Sequence, residues 1–483
     1  MAKRRIAITG LSKAGKSVFL VSLLQHLKYS TQGKFSLNDE EIKGCKTLPV
    51  EDGFFKPFPY EDLLVDLTAE KGGVIMRSTR DACKFRFRLT TKRDRPVKER
   101  AWAKIGKLLS SDEKDYIFEF IDFPGERLAD IEIFANESFA GWSDALEKTF
   151  RSHRHIYENL AEYRAFIDNM GGDPSVDAKE CADKLTAAYK KALTALMMNK
   201  VQLITPSSFV KELESGLEFT KDDFDNHGEN RPCGISGHDF VPVPESFRTR
   251  RQDVTGIFAA NFETYRKKAV TPLFSALKKC DCLLYLVDIP DILSNSFEKY
   301  DETARLLEVF GESLARTGWL EGVAKFSRSL ASRDRGKISE SFDNIGGGSI
   351  KKVLFVATKS DMVSELDQGN LKSLTESLMT TLGRSMQVHS EAHVVSAWVS
   401  TSNYPEEPYK LNSMVRAQSP ESGNLKDLVD MEHTISKIPA EWPQRWKRGE
   451  YRFPEQALYP LLMQTNPPQH RNLDAVFRSL LKA

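Results

Sequence analysis

The chain has 483 residues, long enough for two or three domains, and its 28% charged and 40% hydrophobic residues are typical of a globular protein. Its 69 basic and 68 acidic residues leave a formal net charge of +1, so the strongly basic surface of a nucleic-acid-binding protein is not expected. The N-terminal residues lack the apolar stretch of a signal peptide, and apolar runs such as LLYLV at 283–287 have the length of a strand rather than of a membrane span. We therefore expect a cytoplasmic protein.

The first segment is predicted as a strand over 4–9, a loop, and a helix over 16–29. The loop sequence GLSKAGKS matches the P-loop pattern G-x-x-x-x-G-K-[ST], which wraps backbone N–H groups around phosphate oxygens. Lys16 is expected to reach the β- and γ-phosphates, and Ser17 to ligate Mg²⁺. The predicted nucleotide-binding residues of this segment are Gly10, Ser12, Lys13, Ala14, Gly15, Lys16, Ser17 and Val18.

Two later runs, KFRFRL at 84–89 and YIFEFI at 116–121, predict the strands of an antiparallel pair. The second run is followed by DFPG, which matches the D-x-x-G motif. Asp122 would hold Mg²⁺ through water, and the N–H of Gly125 would sense the γ-phosphate. Asp288 also ends an apolar strand and is an alternative acid. The switch spacing favours Asp122, and Asp288 fits the N-cap of a helix or a loop position near the sheet edge.

The Mg²⁺ shell also needs a threonine between these two motifs. Thr79, in the sequence RST, is chosen because it lies shortly before the first alternating strand. Position alone separates it from its competitors Thr47, Thr68, Thr90 and Thr91. Arg77 is a candidate arginine finger in cis, as is Arg80, and a solvated loop position for both is the simpler alternative.

Glu126 follows the D-x-x-G motif, where many small GTPases have a glutamine that orients the attacking water. An ionised glutamate only accepts hydrogen bonds, and it repels the charge of the γ-phosphate. The predicted intrinsic hydrolysis is therefore slow, or another group positions the water. The predicted catalytic residues are Lys16, Thr79, Gly125, Glu126 and Arg77, and the predicted metal ligands are Ser17, Thr79 and Asp122.

The region 127–275 differs in character because its apolar residues follow helical spacing. We predict a mostly α-helical insertion within a P-loop GTPase domain that comprises residues 1–126 and 276–483, including a C-terminal extension. Continuous apolar runs at 281–287 and 353–357 predict strands that are buried on both faces, as in a parallel sheet covered by helices. The predicted fold is thus an α/β P-loop domain with a mostly parallel sheet in three α/β/α layers.

Two apolar stripes of the insertion are predicted to face its core: Ile156, Leu160, Tyr163 and Ile167, and Leu185, Tyr189, Ala192 and Leu196. The tail over 400–468 is rich in Pro, Ser and Glu and is predicted to be irregular. The last apolar positions, between 473 and 481, predict an amphipathic helix that docks on the sheet.

The choice of base is predicted from a T-K-S-D sequence directly after the second buried strand, which matches the [NT]-K-x-D motif. The carboxylate of Asp361 can accept hydrogen bonds from N1–H and N2–H₂ of guanine, whereas adenine offers neither donor there. The stem of Lys359 would lie along the base, and Thr358 replaces the commoner Asn with a hydroxyl. A short S-A motif follows at Ser396 and Ala397, where the backbone N–H of the alanine would contact guanine O6.

The order of these motifs resembles the YcjX-like family of bacterial P-loop GTPases. The specific parts are the P-loop, STRD at 78–81, FPGE at 123–126 and ATKSD at 357–361, and the resemblance covers most of the chain. It implies a stress-associated, cytoplasmic, Mg²⁺-dependent GTPase with a membrane-protein partner, which would bring it to the inner membrane. It also matches Thr79 to the switch I threonine of the family.

Together the motifs predict a nucleotide-dependent switch that binds GTP or GDP with Mg²⁺, hydrolyses GTP slowly and signals through its helical insertion. A P-loop does not select the base by itself, so a P-loop ATPase or small-molecule kinase is the alternative if the T-K-x-D match is accidental. A non-catalytic, nucleotide-stabilised scaffold is a third hypothesis, which Glu126 favours.

Overall fold

The computed structural model describes residues 2–11, 13–29, 35, 37, 40–68, 82–93, 113–152, 154–172, 175–198, 205–209, 239–314, 350–386, 388–418, 425–454 and 467–482. Their contacts divide the chain into two compact units. The GTPase-like unit comprises Met1–Gly125, Lys279–Tyr300 and Gly348–Ala483, and the helical unit comprises Glu126–Lys278 and Asp301–Gly347. The predicted limits of an insertion domain, 127–275, stay a prediction.

Eight of the described strands form one sheet in the order β2-β4-β5-β1-β6-β7-β8, with β3 beside β4. Their bounds are β1 Ala2–Gly10, β2 Glu40–Leu48, β3 Lys56–Pro57, β4 Cys83–Arg93, β5 Glu113–Asp122, β6 Cys282–Val287, β7 Lys352–Ala357 and β8 His389–Val394. The run β5-β1-β6-β7-β8 is parallel, whereas β4 pairs antiparallel with both β2 and β5. The predicted mostly parallel sheet and its antiparallel pair are therefore confirmed.

The described helices outside the helical unit are α1 Lys16–Lys28, α2 Tyr60–Thr68, α11 Ile289–Ser294, α13 Gln368–Met386 and α14 Leu473–Leu481. A further helix, α12, spans Phe297–Leu314. All residues of β6 and β7 are buried, because helices lie on both faces of the sheet. On one face of the sheet, α1 and α14 share a core with Phe118 of β5. Helix α13 packs against β7 and β8.

The C-terminal helix docks on the sheet as predicted. Its residues Leu473, Val476, Phe477 and Leu480 are all fully buried. The ring of Phe477 lies 5.2 Å from the ring of Phe118 on β5. Burying such side chains stabilises the fold by about 1.5–3 kcal/mol each, so the last turns of the chain belong to the core of the GTPase-like unit.

The prediction of an irregular tail is wrong for residues 401–434, whereas the described residues 435–454 contain neither helix nor strand, as predicted. A second, antiparallel sheet follows the first in the described part of the tail, with β10 between its neighbours. Its strands are β9 Thr401–Tyr404, β10 Glu407–Gln418 and β11 Leu425–Thr434. Of the described side chains of β10, only Leu411, Ser413 and Val415 are buried, at alternate positions. The remaining positions of these strands are mostly polar, which diluted the period-2 pattern that marks a strand.

The helical unit contains α3 Ile131–Ala135, α4 Phe139–Ser152, α5 Arg154–Asn159, α6 Ala161–Gly172, α7 Ala178–Met198, α8 Glu245–Arg250, α9 Gln252–Tyr265 and α10 Thr271–Lys278. A π-helical turn, Arg266–Val270, joins the last two. Both predicted apolar stripes are buried, which confirms that they pack in the core of this unit. Among the described helices of the chain, none combines the length and apolar character that a membrane span requires.

A buried carboxylate anchors the start of the helical unit. A 3₁₀ helix, Gly125–Asp130, follows the D-x-x-G motif and ends at Asp130, which is fully buried. Its carboxylate accepts hydrogen bonds from the hydroxyl of Tyr265 and the backbone N–H of Ser207, both at 2.8 Å. Arg127 donates to the carbonyl of Ala269 in the π-helical turn at 3.0 Å. These contacts fix the residues that follow the switch motif to the core of the helical unit.

Glu391 on β8 joins three elements of the GTPase-like unit. Its carboxylate accepts hydrogen bonds from Lys352 of β7 at 2.8 Å and from Ser479 of α14 at 2.7 Å. Burial opposes ionisation, but the hydrogen bonds from Lys352, Ser479 and His389 outweigh it and lower the pKa of Glu391 to about 2.

Because the pKa of Glu391 is lower when folded, its stabilising contribution is complete above its ordinary pKa of 4.5 and is lost as pH falls toward about 2. We expect Glu391→Gln to lower the melting temperature at neutral pH, and this difference from wild type to shrink as the pH falls through that window. Thermal unfolding at a series of pH values measures it. Glu376→Gln, on an exposed part of α13, is the matched control. A difference that stays constant down to the acid limit would contradict the prediction.

Candidate nucleotide-binding site

The loop between β1 and α1 has the backbone geometry that a P-loop requires. Gly10 has φ 147°, and a Cβ at this position would lie 2.2 Å from the carbonyl oxygen of Leu286 on β6. Gly15, directly before α1, has φ 81°, and Lys13 has φ 64°. Left-handed residues this close together turn backbone N–H groups inward, and α1 adds the positive end of its dipole. Both glycines thus have the positive φ that glycine favours, and at Gly10 a side chain would also collide with Leu286.

Lys16 lies on the inner side of this loop. Its side chain is buried, and its ammonium donates to the carbonyl oxygens of Gly10 at 2.9 Å and Leu11 at 3.2 Å. Both acceptors are uncharged, so a phosphate would supply the counter-charge that a buried cation requires. Ser17 and Val18 lie half-buried in the first turn of α1.

The D-x-x-G motif lies directly against the P-loop. Asp122 is buried at the end of β5, and it continues the alternation of Phe118 and Phe120, which face the core under α1. A Cβ on Gly125 would lie 2.1 Å from the carbonyl oxygen of Gly10. The backbones of the two predicted phosphate-sensing segments are therefore in contact.

The donor set at this point suits Mg²⁺. A serine hydroxyl at Ser17 and a carboxylate at Asp122 are hard oxygen donors, and Mg²⁺ usually takes one or two such groups and completes its shell with phosphates and water. Within the described ranges no group of three His, Cys, Asp or Glu side chains could hold a metal ion by itself.

Strand register reduces the number of threonines that could ligate an ion beside Asp122. Cys83, the first residue of β4, is the register partner of Asp122, whereas Thr90 pairs with Asp115 near the other end of β5. Thr90 and Thr91 donate to acidic side chains at that far end, so they are excluded as ligands of an ion beside Asp122. β4 therefore begins at the end of β5 that carries Asp122.

The T-K-S-D sequence follows β7, as predicted, and its aspartate is held in one orientation. Asp361 is 2% exposed, and its carboxylate accepts from the N–H of Ser400 at 2.7 Å and from the hydroxyl of Ser396. The N–H of Asp361 donates back to the hydroxyl of Ser396 at 2.9 Å. Burial raises the pKa of Asp361, and the hydrogen bonds from Ser396 and Ser400 act in the opposite direction.

Residues at the end of the neighbouring strand, β6, hold Lys359 and Thr358 in place. Lys359 has a left-handed φ of 57°, and its ammonium pairs with Asp288. Burial lowers the pKa of Lys359, but Asp288 outweighs burial and the net shift is upward. The hydroxyl of Thr358 donates to the carbonyl of Val287 at 3.2 Å. Asp288 also accepts from the N–H of Asp291 at 3.0 Å, which confirms its prediction as the N-cap of α11.

The S-A motif lies beside the T-K-S-D turn and is tied to the P-loop helix. The carbonyl of Ala397 accepts a hydrogen bond from the hydroxyl of Ser22 on α1. Ser396 exchanges two backbone hydrogen bonds with Arg471, at 3.1 and 2.8 Å. Reasoning from the sequence missed Ser22, Ser400 and Arg471, because two of these contacts are made by backbone groups and no motif marks them.

Several predicted site residues cannot be compared with the structure. Ser12, Arg77, Thr79 and Arg80 lie outside the described residues, as does the side chain of Glu126. Of the remaining predicted residues, the structure brings the P-loop, Asp122 and Gly125 into one group, and Thr358, Lys359, Asp361, Ser396 and Ala397 into a second. The hydrogen bond from Ser22 links the second group to α1.

A P-loop after the first strand of a mostly parallel α/β sheet, with a D-x-x-G turn after the adjacent strand β5 and a T-K-x-D turn after β7, defines a GTPase-like P-loop fold. The chain belongs to the YcjX-like family, DUF463, whose family model matches residues 4–483. It is similar to the Ras-like GTPase YcjX of Escherichia coli (strain K12), with 21% identity over 495 residues that cover 99% of this chain and 95% of that protein. The resemblance predicted from the motifs is confirmed.

Proposed function

We propose that this protein binds GTP and GDP with Mg²⁺, hydrolyses GTP slowly and acts as a nucleotide-dependent switch. One observation carries the proposal: the buried, oriented carboxylate of Asp361 follows β7, two strands from β1, which leads into the P-loop. Guanine can donate two hydrogen bonds to that carboxylate, whereas adenine would leave it without them at a high cost. The printed name of the Escherichia coli relative supports the same class of activity.

The roles of the phosphate-side residues follow from their chemistry. Lys16 would neutralise the β- and γ-phosphates, Ser17 and Asp122 would hold Mg²⁺, and the N–H of Gly125 would contact the γ-phosphate. Bound Mg²⁺ would offset the negative charge of the phosphate oxygens. Register places the entry of β4 beside Asp122, which supports Thr79, four residues before Cys83, as a further metal ligand.

Slow hydrolysis is proposed because Glu126 occupies the position after D-x-x-G and cannot donate to the attacking water when ionised. Arg77 is retained as the candidate finger. Signalling through the helical unit is supported by the 3₁₀ helix that starts at Gly125 and ends at the buried Asp130. A role in stress responses and a membrane-protein partner at the inner membrane stay predictions from the family resemblance.

The test is competitive binding of GTP, GDP and ATP in the presence of Mg²⁺, followed by phosphate release from GTP. We expect a clear preference for both guanine nucleotides over ATP, and slow release of phosphate. Lys16→Ala should weaken binding by roughly a hundredfold, because it removes the cation of the phosphate site. Lys267→Ala, an exposed lysine of the helical unit, is the control and should bind normally. Equal or tighter binding of ATP would favour an ATPase or kinase, and binding without phosphate release would favour a scaffold.

A further inference from the structure

A cavity of about 710 Å³ lies in the GTPase-like unit, beside β8, α13 and the start of α14. Its volume is that of a pocket for a small molecule. Its polar and charged lining residues include Glu365, Gln368, Lys372, His393, His470 and Arg471. None of these side chains belongs to the predicted phosphate or guanine contacts, although Ser360 of the T-K-S-D turn also lines the cavity.

The lining offers two cations that an anion could engage, Lys372 and Arg471. Glu365, the one carboxylate among the lining residues, is paired with Arg471, and Glu376, outside the lining, lies 3.7 Å from Lys372. His393 is mostly buried, and burial lowers its pKa, although the nearby Glu391 carboxylate acts in the opposite direction. An oxyanion in the cavity could replace Glu365 as the partner of the Arg471 guanidinium, whose planar donors match carboxylate and phosphate oxygens.

We propose that this cavity binds a small metabolite bearing a phosphate or carboxylate group, and that its binding changes the affinity of the protein for guanine nucleotide. The second half rests on the proposed function, because it assumes that nucleotide binds at Asp361. The first half, an oxyanion site formed by Lys372 and Arg471, does not depend on it.

Three contacts connect the cavity to the proposed nucleotide site, and two of them reach the guanine-recognition residues. Gln368 donates to the carbonyl of Ser360 at 2.9 Å, directly before Asp361. Arg471 holds Ser396 through two backbone hydrogen bonds, and Ser396 in turn orients the carboxylate of Asp361. A ligand that binds Gln368 and Arg471 therefore contacts the two residues that hold Ser360 and Ser396, on either side of Asp361.

The third contact reaches the P-loop helix. The ring of His470 lies 4.4 Å from the ring of His26 on α1, in an edge-to-face arrangement. Because α1 begins at Lys16, a movement of His470 can be transmitted through the packed ring of His26 and α1 to the phosphate site. Coupling between two sites requires such differential contacts, and it acts equally in both directions.

The test uses the full chain loaded with Mg²⁺ and GDP, so that the P-loop is already filled. Inorganic phosphate and succinate are titrated separately against sodium chloride at equal ionic strength. The ring resonances of His393, assigned with His393→Gln, report binding in the cavity, and the dissociation rate of a fluorescent GDP analogue reports coupling. We expect a saturable shift of the His393 signals and a change of about fivefold or more in the dissociation rate.

Lys372→Gln and Arg471→Gln should each weaken the probe by about tenfold, because each removes one charged contact while the backbone bonds of Arg471 remain. Lys447→Gln, an exposed lysine that does not line the cavity, is the matched control. A response to one probe alone supports the site and assigns its ligand to that class of oxyanion.

The oxyanion site is overturned if neither probe gives a saturable shift, or if the shift survives both substitutions. A saturable shift with an unchanged dissociation rate overturns the coupling. If the protein binds no GDP at all, the proposed function fails, and the same titration of His393 on the nucleotide-free chain still decides the oxyanion site.

Discussion

Asp361→Asn is expected to lower the affinity for GDP by more than about a hundredfold and to create affinity for xanthosine diphosphate. The carboxylate would lose two charge-assisted hydrogen bonds from guanine, each about 1.5–3 kcal/mol, whereas the asparagine amide can donate to the extra oxygen of xanthine. Competitive binding of guanosine, xanthosine and adenosine diphosphates to wild type and variant measures the exchange.

Because Asp361 is buried, Asp361→Asn could also lower stability, and a control variant is needed to separate the two effects. Asp367 is equally buried, at 2% exposure, and its carboxylate accepts from the N–H of Ile438 at 2.9 Å. Asp367→Asn should therefore cost stability without changing the choice of base. If Asp361→Asn keeps its preference for guanine, the T-K-S-D turn does not read the base, and the ATPase or kinase hypothesis takes its place.

Gly125→Ala is expected to lower nucleotide affinity by roughly tenfold or more and to lower the melting temperature. Its new Cβ would lie 2.1 Å from the carbonyl oxygen of Gly10, a backbone atom that cannot rotate away. The D-x-x-G segment or the P-loop must shift, and overpacking of this kind costs about 1–3 kcal/mol. Nucleotide titration together with thermal unfolding measures both effects.

Gly53→Ala provides the comparison, since a Cβ at Gly53 would meet no atom within 4 Å. It should leave both nucleotide affinity and melting temperature close to wild type. Wild-type affinity in Gly125→Ala would mean that the contact between the two motifs does not constrain the phosphate site.

The central sheet could be predicted because its signals are local. Continuous apolar runs mark β6 and β7, whose residues are buried on both faces, and the alternation of KFRFRL marks β4. The second sheet could not be predicted, because among the described side chains of β10 only Leu411, Ser413 and Val415 are buried. A strand with so few core positions has little periodicity to detect, and its pairing with β11 is visible only in three dimensions.

The candidate site shows the same division. Its motif residues are recognisable because phosphate and guanine each demand particular side chains at fixed spacing. The residues that hold them are not recognisable in this way. Ser400 acts through its backbone N–H, Arg471 pairs with Ser396 through backbone groups from 75 residues further along the chain, and Ser22 donates from a helix to a distant carbonyl. Residues of any type could supply backbone bonds, so spacing carries no sign of them.

The position of β1 in the sheet has a consequence for biosynthesis. β1 lies between β5 and β6, and the stretch from Phe123 to Asp281 separates these two neighbours in the chain. β1 and the P-loop are therefore synthesised long before β6. Until β6 is made, Gly10 cannot pack against Leu286. Early collapse of the intervening helices would shorten the loop that must close. The packing of Gly10 against β6 therefore forms only after the intervening helices have been made, while β7 and β8 are still to follow.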